Sequence, residues 1–286
     1  MERNLLVTIG DDLNSLYGAR FVASFFARPR DTGVTLLYIA PRFESRGAAE
    51  RTPQRSMDAK LSQLYLKKGR RALEVSRQIL ESYDFSPRRI ATRLVSREHG
   101  MARDILREAE EGKYHALVLG KRGYSVFRKS LQPGLPEEMV KGETSLPVWV
   151  CKHPRRGLKN ILLCLDGSQA SLSVADHAGF MAAGEERHGI TLFHVSEGGA
   201  PTAEDIFREA EEILASRGVE KNRMARVLVK AERVAKAIEG EAREGGYAVV
   251  AVGRKGERSG KSPVPVDSRS VALIDMLDRS ALWVGG

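Results

Sequence analysis

The sequence predicts an α/β protein made of two tandem domains, each an open, parallel five-stranded sheet with helices on both faces. Residues 1–155 and 156–286 read as two versions of one segment, and both versions end in a short apolar run that contains a tryptophan. Short apolar runs alternate with longer amphipathic stretches in both, which is the rhythm of a parallel sheet with crossover helices. Each version also has the size of an ordinary domain.

The individual elements follow in the same order in both copies. Strands are predicted at residues 5–9, 34–39, 90–95, 116–119 and 148–151 of the first copy, with helices at 15–27, 58–82, 100–111 and from Pro136 onward. Strands are predicted at 161–165, 190–195, 226–229, 248–252 and 282–284 of the second copy, with helices at 171–183, 203–216, 234–243 and 268–277. The strands are continuously apolar, as expected where both faces are buried.

The boundary between the copies is marked by residues that favour neither helix nor strand. Pro154 and Gly157 interrupt both periodicities. We therefore predict a first domain at residues 1–152, a linker at 153–159 and a second domain at 160–286.

The copies differ in length in one region. Their opening strands lie 156 positions apart, but their glycine loops lie 133 apart, so the first copy holds 23 extra residues. We place most of them in the polar stretch 41–60, predicted to be a mobile loop beside the C-terminal edge of the sheet.

Composition and charge narrow the function classes. The net charge is +9, but residues 1–155 carry 28 Lys and Arg against 18 Asp and Glu, whereas residues 156–286 carry 18 against 19. The positive charge of the first half favours binding to a polyanion or to an acidic protein partner. The scattered positions of these charges fit a solvated face, so we do not expect nucleic-acid binding.

The sequence shows no secretory signal and no long apolar run, and its two cysteines are isolated from each other. We therefore expect a cytoplasmic protein without membrane spans or disulfides.

Two glycine loops are the strongest chemical signal. Each follows an apolar strand and precedes a helix, where backbone N–H groups can approach a phosphate. The first loop is Gly120-Lys121-Arg122-Gly123, ten residues, then Gly134-Leu135; the second is Gly253-Arg254-Lys255-Gly256, ten residues, then Asp267-Ser268.

These motifs resemble those of a tandem universal stress protein, and the resemblance covers nearly the whole chain. Nucleotide-binding members of that family have an Asp ending the first strand and a G-2x-G-9x-G-(S/T) loop, and Asp166 matches the Asp. The resemblance implies an adenine nucleotide alpha hydrolase-like fold and ATP, with Mg²⁺, as ligand. It also implies that the two copies pair internally through their fifth strands as a pseudo-dimer, while a further homodimer stays open.

Both copies depart from the family pattern. Both loops have ten residues where the pattern has nine. In the first copy Leu135 replaces the hydroxyl residue, and Gly10 replaces the Asp, although Asp11 and Asp12 follow. In the second copy Asp267 replaces the third glycine, which places a carboxylate near the phosphates.

The resemblance, together with the two glycine loops, implies a stress-response or signalling protein that binds ATP without dedicated catalysis. Basic side chains of the loops would supply charge to the phosphates, namely Lys121, Arg122, Arg254 and Lys255. The predicted contacts are Asp166, Gly253, Arg254, Gly256 and Ser268 in the second copy and Gly120, Gly123 and Gly134 in the first. Two alternatives stay open: a nucleotide-free scaffold for an unknown protein partner, and a slow ATPase. No metal site is expected, because the six histidines show no ligand spacing.

Overall fold

The computed structural model describes residues 2–13, 16–27, 29–43, 53–121, 134–141, 144–153, 157–196, 202–254 and 268–285. The first half contains β1 (Arg3–Thr8), α1 (Tyr17–Phe25), β2 (Thr32–Ala40), α2 (Pro53–Glu81), β3 (Ile90–Ser96), α3 (Met101–Glu111), β4 (Ala116–Gly120), α4 (Leu135–Lys141) and β5 (Val148–Cys151). The second half contains β6 (Ile161–Leu165), α5 (Gln169–Ala182), β7 (Ile190–Ser196), α6 (Ala203–Ser216), β8 (Met224–Lys230), α7 (Val234–Gly245), β9 (Val249–Gly253), α8 (Ser268–Met276) and β10 (Ala281–Gly285).

The ten strands of the described residues form one sheet in the order β3-β2-β1-β4-β5-β10-β9-β6-β7-β8. Neighbouring strands within each half are parallel. The halves meet where β5 and β10 pair antiparallel, with Trp149 opposite Trp283. The predicted α/β class and the pairing of the copies through their fifth strands are therefore confirmed, and the two five-stranded sheets are continuous.

Helices cover both faces of this sheet over two apolar cores. Successive strand residues face opposite ways, so Leu5 and Val7 belong to the core under α1, α2, α5 and α6, whereas Leu6 belongs to the core under α3, α4, α7 and α8. Both cores draw residues from both halves. The halves are thus joined by continuous packing as well as by the β5–β10 ladder.

The junction has a stacked tryptophan pair at its centre. The rings of Trp149 and Trp283 lie 4.0 Å apart at 10° and are fully buried. Trp149 Nε1 donates to Nε2 of His177 on α5, at 3.0 Å. The first half has Phe21 at the position equivalent to His177, 156 residues before it. The ring of Phe21 meets the ring of Trp149 edge-on, with centroids 6.0 Å apart. One tryptophan therefore contacts the same helix position of both halves, once through a polar partner and once through an apolar one.

A buried ion pair also crosses the junction. The guanidinium of Arg3 on β1 lies 3.4 Å from Glu185, whose side chain is fully buried. Arg3 also donates to the Ala183 carbonyl, and the Ala27 N–H donates to Glu185 at 2.7 Å. The carboxylate is thus satisfied by groups of the other half, as a buried charge requires.

The region of extra residues is the main difference between expectation and structure. The prediction of a loop over residues 41–60 is wrong from Pro53 onward, because Pro53–Glu81 form one 29-residue helix, whereas its counterpart α6 has 14. Pro53 is the first residue of α2, a position where proline costs no hydrogen bond. Residues 44–52 lie outside the described residues. The helix predicted at 58–82 begins at residue 53 instead of 58. Every other predicted helix or strand with two stated bounds has ends within two residues of the observed ones.

Candidate functional site

The site predicted from the loops lies at the point where the strand order reverses in each half. In the first half β1 pairs with both β2 and β4, and in the second half β6 pairs with both β7 and β9. The connections leave the sheet in opposite directions there, which opens a crevice beyond the carboxyl ends of the two central strands. Asp166 follows β6 and Gly253 ends β9, so the structure brings these two predicted residues to one crevice.

In the second half the first turn after β6 holds a carboxylate at the surface. Asp166 is exposed, and its Oδ1 accepts from the Ser168 N–H at 3.0 Å and from the Ser168 hydroxyl at 2.6 Å. Ser168 is the N-cap of α5, and its Oγ accepts from the Ser171 N–H at 3.2 Å. Gly167, with φ +77°, takes the left-handed conformation that this tight turn needs. Asp166 Oδ2 makes no hydrogen bond to a described residue, so one carboxylate oxygen remains available to a ligand.

Gly253 has a packing role in this crevice. A Cβ atom built there would lie 2.9 Å from the backbone nitrogen of Ser171 and 3.0 Å from the carbonyl carbon of Ala170. Only a glycine therefore lets the first turn of α5 lie against the end of β9. The carbonyl of Gly253 faces the hydroxyl of buried Ser270, in the first turn of α8, at 3.4 Å. Sequence reasoning selected Ser268 and missed Ser270.

His194 lies at the end of β7 beside the same crevice. Its Nδ1 is 2.8 Å from the Leu165 carbonyl, so this nitrogen carries the proton and donates. The ring meets Phe207 edge-on at 6.3 Å. His194 is half-buried, and the fold itself supplies the partner of its Nδ1.

The first half has the same crevice with different chemistry. Gly10 occupies the place of Asp166, and the carboxylate of the next residue, Asp11, lies 3.9 Å from the ammonium of Lys68 on α2. The Thr8 hydroxyl donates to the Val118 carbonyl at 3.3 Å and joins β1 to β4. The first half therefore lacks a side chain at Gly10 that could do what Asp166 can do in the second.

The predicted phosphate-binding side chains that the structure describes are directed elsewhere. Lys121 reaches Asp275 and the Ile274 carbonyl of the second half. Arg254 is buried and donates to carbonyls of the first half, and its own N–H donates to the Gly285 carbonyl at 2.7 Å. These two residues therefore join the halves. In their described contacts, the side chains of Lys121 and Arg254 direct their charge to the helices α4 and α8.

The remaining predicted contacts are described in part. Gly120 ends β4, and Gly134 precedes α4, where its carbonyl accepts from the Glu138 N–H at 2.9 Å. Gly123, Arg122, Lys255 and Gly256 lie outside the described residues, as does Asp267. Ser268 begins α8, and its side chain is not described.

The described residues show no group of three or more His, Cys, Asp or Glu side chains arranged to hold a metal ion. Within the same part of the chain, no helix has both the length and the apolar character needed to cross a bilayer.

Comparison with known proteins agrees with this architecture. The model of the universal stress protein family matches the chain twice, at residues 1–152 and 157–274. The chain belongs to the universal stress protein family. It is a tandem member, since each half carries its own match, and the resemblance found in the sequence is confirmed.

Solved structures that match both halves of the chain share the fold. One from Archaeoglobus fulgidus DSM 4304 is 18% identical, with 99% of this chain and 97% of that chain covered and a TM-score of 0.69. A protein described as a putative universal stress protein, from Pseudomonas aeruginosa UCBPP-PA14, is 17% identical, with 99% and 93% covered and a TM-score of 0.58. A single-domain match, solved in complex with cAMP, is 20% identical, with 44% and 95% covered and a TM-score of 0.37. No curated protein matches the chain.

Proposed function

We propose that this universal stress protein binds an adenine nucleotide, ATP with Mg²⁺, in the crevice of its second half, as part of a stress response and without dedicated catalysis. The observation that carries the proposal is Asp166, which is fixed at the switch point by Ser168 and has one oxygen available. That oxygen can accept from a ribose hydroxyl or ligate Mg²⁺. The start of α5 and the close packing at Gly253 complete the described part of the crevice.

The second half is favoured over the first because only there does a carboxylate occupy the position that Asp166 holds; the equivalent residue of the first half is Gly10. The backbone of Gly10 offers no acceptor side chain, and Asp11 is held near Lys68. Phosphate binding is assigned to the backbone N–H groups of the glycine loops, since the side chains of Lys121 and Arg254 bind the opposite half.

Binding rather than catalysis is proposed because the hydroxyl closest to the carboxylate has a structural role. Ser168 Oγ lies 2.6 Å from Asp166, within the reach expected of a nucleophile and its base. However, Ser168 is 6% exposed and caps α5 through the Ser171 N–H. A slow ATPase remains the third hypothesis, and sustained phosphate release that Asp166→Ala abolishes would support it.

The second candidate is a nucleotide-free scaffold that binds an unknown protein partner. This candidate is favoured by Lys121 and Arg254, the two loop cations whose described contacts cross the junction between the halves. Its partner would be acidic, given the excess of Lys and Arg in residues 1–155. Cytoplasmic location and a homodimer of the chain stay predictions.

The deciding experiment is a titration with ATP·Mg²⁺ followed by thermal unfolding of the full chain. A ligand at 100 times its Kd adds about 2.7 kcal/mol of stability. Asp166→Asn keeps Oδ1 as the acceptor for Ser168 and removes the charge, so it should abolish the stabilisation without unfolding the chain. Asp11→Asn is the matched variant in the first half and should bind like the wild type. No stabilisation of the wild-type chain at millimolar ATP would leave the scaffold.

A further inference from the structure

In each loop, the residue directly after the first glycine makes most of its side-chain contacts with the opposite half. In the first half this residue is Lys121, whose Nζ lies 2.5 Å from the carboxylate of Asp275 and 3.4 Å from the Ile274 carbonyl. Both acceptors belong to the last turn of α8. The same ammonium lies 3.3 Å from Glu137 of its own half, and its side chain is 11% exposed. Lys121 therefore holds the carboxyl end of α8 while it begins the first loop.

Arg254 makes the reciprocal contact 133 positions later. Its guanidinium donates to the Val140 carbonyl at 2.9 Å, the Met139 carbonyl at 3.4 Å and the Leu146 carbonyl at 3.2 Å. The first two carbonyls belong to the last turn of α4. A cation at the carboxyl end of a helix is stabilised by the partial negative charge of the terminal carbonyls. Arg254 thus holds α4 while it begins the second loop.

The two contacts are reciprocal. Arg254 contacts α4, the helix that follows the first loop, and Lys121 contacts α8, the helix that follows the second loop. α4 begins directly after the first loop, and α8 begins directly after the second. The hydroxyl of Ser270 in α8 also reaches the carbonyl of Gly253, the last residue before Arg254. α4 and α8 contact each other directly at the junction. The beginning of each loop is therefore attached to the helix that ends the other loop.

We propose that Lys121 and Arg254 couple the two glycine loops, so that a nucleotide bound in one half changes the stability of the terminal helix of the other half. The proposal rests on the proposed function for its ligand. A ligand bound beyond the carboxyl end of β9 lies beside the backbone of Gly253 and Arg254, and thereby affects the hold of Arg254 on α4. The contact of Arg254 is buried and uses carbonyl acceptors, whereas Asp275 is 54% exposed. The coupling through Lys121 should therefore weaken as the salt concentration rises.

The test is amide hydrogen exchange of the full chain with and without ATP·Mg²⁺. In the wild type the nucleotide should slow exchange in α8 and also change exchange in α4. In Arg254→Met the response of α8 should remain and that of α4 should be lost, and Arg254→Lys should restore part of it. Lys152→Met is the matched control, because Lys152 also contacts the end of α8, at the Asp275 carbonyl, but does not begin a loop. An α4 response that is unchanged in Arg254→Met, or absent while α8 responds, would overturn the coupling.

A second arm without nucleotide separates this proposal from the proposed function. Lys121→Met removes a charged hydrogen bond from α8, so exchange there should rise by about tenfold. Coupling requires exchange also to rise in residues 249–254, at the start of the second loop. A rise confined to α8 would overturn the coupling, whether or not ATP binds.

Discussion

The hydrogen bond from Trp149 to His177 predicts a loss of stability at mildly acid pH. Burial lowers the pKa of His177 from its ordinary value of 6.5 to about 3. The geometry requires the same direction, because Nε2 must be unprotonated to accept from the indole N–H. The folded protein therefore keeps a neutral imidazole between pH 6.5 and about 3, whereas the unfolded chain takes up a proton there.

The sign and size of the effect follow from this difference. Since the unfolded state binds more protons in this window, the free energy of unfolding rises with pH and is lost as pH falls. A difference of one pKa unit corresponds to about 1.4 kcal/mol, so His177 alone removes about 2 kcal/mol between pH 7 and pH 5.

The assay is urea unfolding of the wild type and of His177→Phe at both pH values. Phenylalanine is the residue at the equivalent position of the first half, Phe21, and does not titrate. At pH 7 the variant should be less stable by about 1–3 kcal/mol, because the buried Trp149 N–H loses its acceptor. At pH 5 this deficit should shrink by about 2 kcal/mol. Other groups titrate equally in both proteins and cancel, so an equal loss in the two proteins from pH 7 to pH 5 would refute the argument.

Four further substitutions, one of them a control, test the packing of the junction and the crevice. Glu185→Gln removes a fully buried charge and leaves Arg3 without its counterion, so unfolding by urea should show a loss of about 3–5 kcal/mol; a loss below 1 kcal/mol would contradict the pairing. Gly253→Ala should cost about 1–3 kcal/mol in thermal unfolding, because its Cβ would meet backbone at 2.9 Å. Gly240→Ala, in α7 with nothing within 4 Å, should instead stabilise by about 0.4–1 kcal/mol, and equal effects of the two changes would be inconsistent with the structure. Ser168→Ala removes the cap of α5 and should lower the free energy of unfolding by about 1 kcal/mol. An unchanged free energy of unfolding in urea would contradict the capping role.

The spacing of apolar residues identified most of the helices and strands. It failed at the start of α2, where the helix continues beyond the residues that form its apolar face. The amino-terminal part of α2 is polar, so residues 53–57 were predicted as part of a loop although they are helical. The internal repeat was visible because both copies bury the same strands at the same spacing. The pairing of the halves through β5 and β10 came from the resemblance to a family, since no local pattern states which edge strands meet.

The candidate site was predicted in part for a similar reason. The place of Asp166 and Gly253 follows from strand order, because parallel strands bring their carboxyl ends to one edge. The direction of the Lys121 and Arg254 side chains does not follow from the loop sequence. A basic residue between two glycines suits a phosphate, but the carboxyl end of a helix from the other half attracts it equally well. The 133-residue offset that relates the two cations was the available signal for a shared structural role.

The sequence by itself determined the α/β class, the internal repeat and the position of the glycine loops, because these depend on apolar spacing and on residues close together in the chain. Only the tertiary structure decided which charges meet across the junction. Arg3 and Glu185 are 182 positions apart, and Lys121 and Asp275 are 154 apart. Such contacts depend on how two folded halves are packed, and a buried or half-buried charge binds whichever opposite charge or carbonyl that packing brings within reach.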